Sequence, residues 1–273
     1  MKADPNDRAV GGMLQELGLD APEWLQGGRI LVGTAGDKVL RAGSAEDIGR
    51  EASTIASLPA DLRAFAPAAH GEAEADGWRM RAEERLPPAA DPRGMVQAWL
   101  DARQWEPQAP VRATLRSHLK NLQPHGKLSV TELVRRLRRA REQGAQLPFP
   151  PQARRIERVL GKELEVCYHR GWIHGSLLPR RIREGGFICW RQARPDGLRG
   201  TDAGAHVPPE DQPLDILLHV LKWSWRNSPV RAARCLAALG AEASEAKRCF
   251  SRPRHTLASA IPPCGRSWAA GRG

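Results

Sequence analysis

Residues 85–92, Arg85-Leu86-Pro87-Pro88-Ala89-Ala90-Asp91-Pro92, divide the chain into stretches with different periodicities. Each proline lacks an amide hydrogen and fixes its own φ, so neither a helix nor a central strand continues through this segment. The stretch before it reads as short strands around one helix, and the stretch after it as mostly helical. That order predicts an α+β protein with a small β-rich lobe at 12–86, a linker at 87–93 and a larger helical lobe at 94–249.

In the first stretch, residues 1–11 are polar and glycine-containing and are expected to be disordered. Met13, Leu14, Leu17 and Leu19 predict a short helix that ends at Asp20-Ala21-Pro22. Residues 27–32 and 38–41 read as two strands joined by a turn at Thr34-Ala35-Gly36-Asp37. Gly43-Ser44 caps a helix over 45–57, whose apolar face is Ile48, Ala52, Ile55 and Ala56. Two further strands are expected near 65–70 and 77–84.

Beyond the linker, helices are expected over 94–105, over 110–120 (Val111, Leu115 and Leu119 at i, i+4, i+8) and over 129–143. The third opens with the capping box Ser129-x-x-Glu132. A helical stripe of Ile156, Val159, Leu160, Leu164 and Cys167 predicts a helix over 152–170. It stops at Gly171 and leads into Ile173-His174-Gly175-Ser176, then Pro179, a Glu184-Gly185-Gly186 turn and the apolar run Phe187-Ile188-Cys189-Trp190. This is a loop followed by a tight hairpin. A polar loop at 192–212, a buried helix from Leu214 to Trp225 and a helix over 229–240 complete the lobe. Residues 250–273 show little periodicity and are expected to be disordered.

Composition narrows the function classes. The 273 residues suffice to bury a sizeable core. No apolar run approaches the length of a membrane-spanning helix, so no membrane insertion is expected. The polar N-terminus has no secretory-signal core. Five cysteines, at 167, 189, 235, 249 and 264, form no C-x-x-C pair, which argues against both a disulfide framework and a zinc site. These features fit a reducing cytoplasm. The net charge of +11 points to anionic partners, or only to an arginine-rich coding bias.

The stretch His174-Gly175-Ser176-Leu177-Leu178-Pro179-Arg180-Arg181 through Ile188-Cys189-Trp190 resembles the catalytic centre of the aminoglycoside phosphotransferase and choline kinase type of kinase-like protein. In that family the pattern is His-Gly-Asp-x-x-x-x-Asn, a strand pair, then Ile-Asp-Trp. Other segments resemble the family in order. Lys38-Val39-Leu40-Arg41 is similar to its third strand, with Arg41 in place of the phosphate-holding lysine. Arg50-Glu51-Ala52 resembles the following helix, with Glu51 as the lysine's partner. Glu83-Glu84-Arg85-Leu86-Pro87 resembles the adenine-facing hinge. Asp211-Gln212-Pro213-Leu214-Asp215 resembles Gly-Asp-Pro-x-x-Asp-Leu, one residue shorter, and implies that Asp215 is a structural acid bracing the loop.

The resemblance implies a two-lobed kinase-like fold and ATP or another nucleotide as ligand, but its acids are missing. Ser176 stands at the position of the catalytic Asp, Arg181 at the Asn and Cys189 at the second Asp. Magnesium is held by hard oxygen ligands. A guanidinium is a cation and a thiol is a soft donor, so the magnesium site is not expected. A serine hydroxyl has no basicity to take the acceptor's proton. His174 is expected to brace the loop, and Cys189 is expected to be a small buried residue rather than a nucleophile. Arg181, with Arg180 and Arg183 nearby, either offsets the charge of an anionic ligand or lies on the surface.

Three readings follow. The first is a kinase-fold pseudoenzyme that acts by binding a nucleotide, an anion or a protein partner. The second is an active ATP-dependent phosphotransferase on a small hydroxyl compound or sugar, with acids relocated to Glu184, Asp196, Asp202 or Asp211. The third is a basic nucleic-acid-associated protein that uses Arg135, Arg138 and Arg139 on one helix face.

Overall fold

A computed structural model of the protein describes residues 5–26, 29–122, 127–210 and 212–249; side chains are described except for 5–7, 26 and 241–249. The tail at 250–273, the strand start at Gly27-Gly28 and Asp211 lie outside the described residues.

The N-terminal part is one antiparallel sheet with helices on it. Strands β1 (Glu23–Gln26), β2 (Ile30–Ala35), β3 (Lys38–Ser44), β4 (Ala69–Ala75) and β5 (Trp78–Glu84) lie in the order β1-β2-β3-β5-β4. Between β3 and β4 run α2 (Ala45–Ala56) and the single turn α3 (Ala60–Arg63). Ser44 caps α2, its hydroxyl accepting from the Asp47 N–H at 3.2 Å.

Strand alternation sorts β3 into two faces. Leu40 and Ala42 face a small core with Met80, Ala82 and Ala73. That core is covered by Val10 and Met13 of α1 (Pro5–Glu16). The helix thus begins inside the stretch expected to be disordered. Its Gly11-Gly12 pair reads as a breaker locally, but Ala9, Val10 and Met13 are buried on the apolar face of the sheet, and that packing overrides a poor propensity. The opposite face of β3 carries Arg41, which is paired across the ladder with Arg81 of β5.

The chain crosses 85–91 and enters α4 (Pro92–Asp101), capped by Asp91. The C-terminal part is mainly helical: α5 (Leu115–Asn121), α6 (Val130–Glu142), α7 (Ala153–Leu160), α8 (Gly200–Ala203), α9 (Leu214–Asn227) and α10 (Pro229–Cys249). Its core gathers Trp99, Leu119, Leu133, Leu137, Ile156, Leu218 and Leu236. Ser129 caps α6 by accepting from the Glu132 N–H, while the Glu132 carboxylate turns to Arg135 and leaves half of the expected capping box unused.

Short strands interrupt this part more often than expected. β6 (Glu106–Pro107), β9 (His169–Ile173) and β12 (Arg194–Leu198) form a three-stranded sheet in the order β12-β9-β6. β7 (Val111–Thr114) pairs with β8 (Glu163–Val166), and β10 (Ile182–Arg183) with β11 (Gly186–Phe187) across a turn at Gly185.

Two helical expectations are therefore corrected. The 152–170 segment is helical only to Leu160; Gly161 ends it, and two strands follow. Glu163-Leu164-Glu165-Val166 alternates exposed acid with inward apolar, a period of two that the longer stripe through Leu164 and Cys167 obscured. The 110–120 segment opens as strand β7, and Val111, counted as a helical core position, is 46% exposed. The stretch leading into His174 is thus a strand, and the segment expected to be a polar loop at 192–212 contains β12 and α8.

Candidate functional site

β9 ends at Ile173 and delivers the chain into the loop that begins with His174. The loop's backbone is fixed from below by one carboxylate. Asp202 of α8 accepts from the His174 N–H and the Gly175 N–H, each at 2.8 Å, and from the Trp99 indole N–H at 2.8 Å. Arg103, stacked over Trp99 at 3.8 Å and Trp105 at 4.3 Å, stands 3.9 Å from the same carboxylate. Asp215, expected in this bracing role, sits elsewhere: it pairs with Arg199 at 2.7 Å and with His169 Nδ1 at 3.1 Å at the start of β9. Asp202 left no local motif in the sequence; an isolated aspartate in a polar stretch says nothing of a partner 28 residues away.

Gly175 follows in the left-handed region at φ +78°, and a Cβ there would lie 2.5 Å from the Gln192 carbonyl. Both the turn and the close approach require glycine. The His174 side chain is fully buried, packed edge-on to Trp190 (4.8 Å between centroids) and Phe187 (5.8 Å). Its Nε2–H donates to the Ile188 carbonyl at 3.1 Å. Burial pushes its pKa down to about 4, against the smaller opposing pull of Asp202, so the ring is neutral at pH 7. A neutral ring tied to a carbonyl of the hairpin joins the two ends of the loop.

Ser176 and Arg181 meet across the loop. Arg181 stands at the end of a single 3₁₀ turn, Pro179–Arg181, and its Nη1 donates to the Ser176 carbonyl at 3.1 Å and also to the Ser176 hydroxyl. Cys189 is half-buried in the left-handed region at φ +68°. Burial raises its thiol pKa above the ordinary value, despite the nearby Arg41 and Arg181, so the protonated form is favoured.

Above this loop stands the charged face of the sheet. Arg41 Nη1 donates to Glu51 Oε1, both groups buried. Although burial opposes its charge, Glu51, Glu83 and Cys189 together raise the Arg41 pKa above its ordinary value. Arg41 is opposed on β5 by Arg81, and Glu72, Glu83 and Glu51 supply the compensating charge around the two guanidiniums. Burial raises the Glu83 pKa, the neighbouring arginines opposing this. Glu51 Oε1 also accepts from the Trp190 backbone N–H at 2.7 Å. One turn earlier on α2, the buried Asp47 takes Arg29 Nε at 2.5 Å and Arg191 Nη2 at 2.8 Å. Asp47 was missed in the sequence, although its i, i+4 spacing from Glu51 places the two acids on one helix face.

Arg41, Glu51, Cys189, Ser176, Arg181 and His174 therefore converge at the junction of the two parts, while Asp215 does not. Of the acids considered for relocation, Glu184 is exposed on the hairpin turn, Asp196 is exposed beside Arg194, and Asp202 is occupied by the loop backbone. Among the described residues, no group of three or more His, Cys, Asp or Glu side chains is arranged to hold a metal ion. Arg181 is a cation and Cys189 a soft donor, so neither suits magnesium. In the segment resembling the hinge, the Arg85 N–H donates to Asp37 O at 3.1 Å and Pro87 O accepts from Glu184 N at 2.9 Å. No helix among the described residues is long and apolar enough to cross a membrane.

No protein-family model and no curated protein matches the chain. Among solved structures, it is similar to a thermostable mutant of aminoglycoside phosphotransferase APH(4)-Ia in a ternary complex with ADP and hygromycin B, at 13% identity and a TM-score of 0.39, over 87% of this chain and 91% of that one. It is also similar to aminoglycoside-3'-phosphotransferase of type VIII (16% identity, TM-score 0.35, 85% of this chain and 98% of that one). A third similarity is to a putative fructosamine-3-kinase from Haemophilus somnus 129PT (11% identity, TM-score 0.36, 91% and 92%).

Proposed function

We propose that the chain is a kinase-like pseudoenzyme of the aminoglycoside phosphotransferase type, which has lost phosphoryl transfer and acts by binding a nucleotide or related anion at the junction of its two lobes. The observation that carries this reading is the contact of Arg181 with Ser176. By the sequence resemblance Arg181 takes the position of a metal-ligating amide and Ser176 that of the catalytic carboxylate, and the Arg181 guanidinium donates to the Ser176 hydroxyl. A fixed cation supports charge compensation without a metal, and a hydroxyl engaged as an acceptor supports no general base. Arg41 adds a second cation, held by Glu51. Unbridged Cys167, Cys189 and Cys235 fit a reducing cytoplasm.

The nucleic-acid reading is weakened by the partners of the basic helix. Arg135 is engaged by Glu132 at 2.7 and 2.8 Å, and its neighbour Arg136 donates to the Trp225 carbonyl at 3.0 Å.

Thermal unfolding with ATP, with magnesium or with a chelator, tests the proposal. A stabilisation by ATP that is the same in both conditions, without release of ADP, is expected. Magnesium-dependent stabilisation with ADP release, abolished by Glu83→Gln, would sink it in favour of an active phosphotransferase.

A further inference from the structure

Helices α6 and α7 carry an excess of cations that the fold leaves at the surface. Residues 130–160 hold eight arginines against three glutamates, and no lysine. The two helices pack on each other and on α10. Both turn their apolar residues, Leu133, Leu137, Ile156 and Leu160 among them, into the same core. Their polar faces therefore form one outward surface.

The acids of that surface are few and mostly committed. Glu132 holds Arg135 through both oxygens, and this pair, with Arg139 nearby, keeps its carboxyl below the ordinary value. Glu157 holds Arg116 of α5. Glu142 stands exposed in the last turn of α6. Arg138, Arg139, Arg154, Arg155 and Arg158 are all exposed, and no carboxylate among the described residues lies within ion-pair distance of them. Arg154 and Arg158 stand at i and i+4, as do Arg135 and Arg139, and like charges at that spacing repel. An anion that covers the face relieves this repulsion.

The occupant that fits best is an acidic helix of a protein partner. Guanidiniums four residues apart match carboxylates four residues apart, and each fork can take a carboxylate through two N–H groups. Binding of single-stranded nucleic acid relies on aromatic platforms among the cations. The exposed large apolar side chains among the described residues, Trp24, Leu25, Val111 and Leu178, are on neither helix. Glu132 and Glu142 also interrupt the run of positive charge that a phosphate backbone follows.

We infer that the outward face of α6 and α7 is a docking surface for an acidic helical segment of a partner protein, held by Arg138, Arg139, Arg154, Arg155 and Arg158. The inference does not depend on the Arg41–Arg181 cleft binding a nucleotide.

Fluorescence anisotropy of the full chain with a labelled alanine–glutamate helical peptide, its glutamates four residues apart, tests the inference, with poly(U) as the second probe. Saturable binding of the peptide is expected, weakening as salt rises. Arg154→Gln/Arg158→Gln should weaken it several-fold, and Arg138→Gln/Arg139→Gln likewise from the other helix. Arg154→Lys/Arg158→Lys, which keeps the charge and loses the fork, should fall between the parent and the glutamine pair. Arg50→Gln/Arg112→Gln removes the same charge elsewhere on the surface and should bind as the parent does. Equal losses in that control would reduce the effect to net charge and overturn the surface. Absence of saturable binding, or parent-like binding in both the α6 and the α7 pairs, would overturn it too. Poly(U) bound more tightly than the peptide, and weakened by Arg154→Gln/Arg158→Gln, would give the face to nucleic acid and overturn the acidic-protein assignment.

Discussion

Glu51 of α2 accepts a hydrogen bond from the Trp190 backbone N–H at 2.7 Å, across 139 residues of chain. The same carboxylate oxygen receives Arg41 from β3. One side chain thus ties the sheet, the helix and the hairpin that follows the candidate loop. Removing it leaves a buried guanidinium and a buried amide without their acceptor. Glu51→Ala is expected to cost about 3–5 kcal/mol in urea unfolding, because one member of a buried pair is lost. Arg41→Met combined with Glu51→Leu should recover much of that, since no lone charge remains. An equally severe double variant would show that the Trp190 contact, rather than charge, dominates.

His174 makes stability depend on acidity. Its pKa is lowered by burial to about 4, below the roughly 6.5 of an unfolded histidine. Above pH 6.5 the ring is neutral in both states, and its contribution is fully present. Between 6.5 and 4 the unfolded chain takes up a proton that the folded chain refuses, so stability falls as pH falls. The integrated loss is about 3 kcal/mol. His206, also lowered by burial, acts in the same direction. The difference between parent and His174→Gln in chemical denaturation from pH 7 to pH 4 isolates the first group. The variant is expected to show the shallower slope, and parallel slopes would refute the assignment.

Asp202 is expected to matter more than its sequence position suggests. Asp202→Ala strands two loop N–H groups and the Trp99 indole N–H in the interior, at about 1–3 kcal/mol each before relaxation. Asp215→Ala, which releases the partly exposed His169 and Arg199 pair, should cost less. Hydrogen exchange at His174 and Gly175 distinguishes the two, because only the Asp202 variant should accelerate it. Equal exchange in both would place the brace elsewhere.

Gly175→Ala is expected to lower stability by at least about 1–2 kcal/mol from the left-handed backbone alone. The approach to the Gln192 carbonyl adds to that. A shift in the melting temperature of several degrees downward is the expected readout. An unchanged melting temperature would mean that the loop relaxes freely.

Local signals in the sequence located the elements that are stabilised locally. The β2–β3 hairpin has its turn residues between alternating apolar runs, and α2 has Ser44 at its cap. The loop residues His174, Ser176, Arg181 and Cys189 were singled out by their spacing, and they lie together on one loop and the hairpin that follows it. What was hidden depends on distant partners. Asp202 has its role only because α8 packs under the loop, and Asp47 because residues 190–192 fold back onto α2. The first turns of α1 were missed because they are set by the apolar face of a sheet formed later in the chain. Strand β8 was missed because Leu164 happens to extend the periodicity of α7.

The paired acids of α2 have a consequence for motion between the two parts. Asp47 holds Arg29 from its own side and Arg191 from the other; Glu51 holds Arg41 from its own side and the Trp190 amide from the other. When the parts separate, each carboxylate keeps its near-side cation. The departing groups, a half-exposed guanidinium and a neutral amide, are ones that water solvates readily. Separation of the parts would then strand no isolated anion.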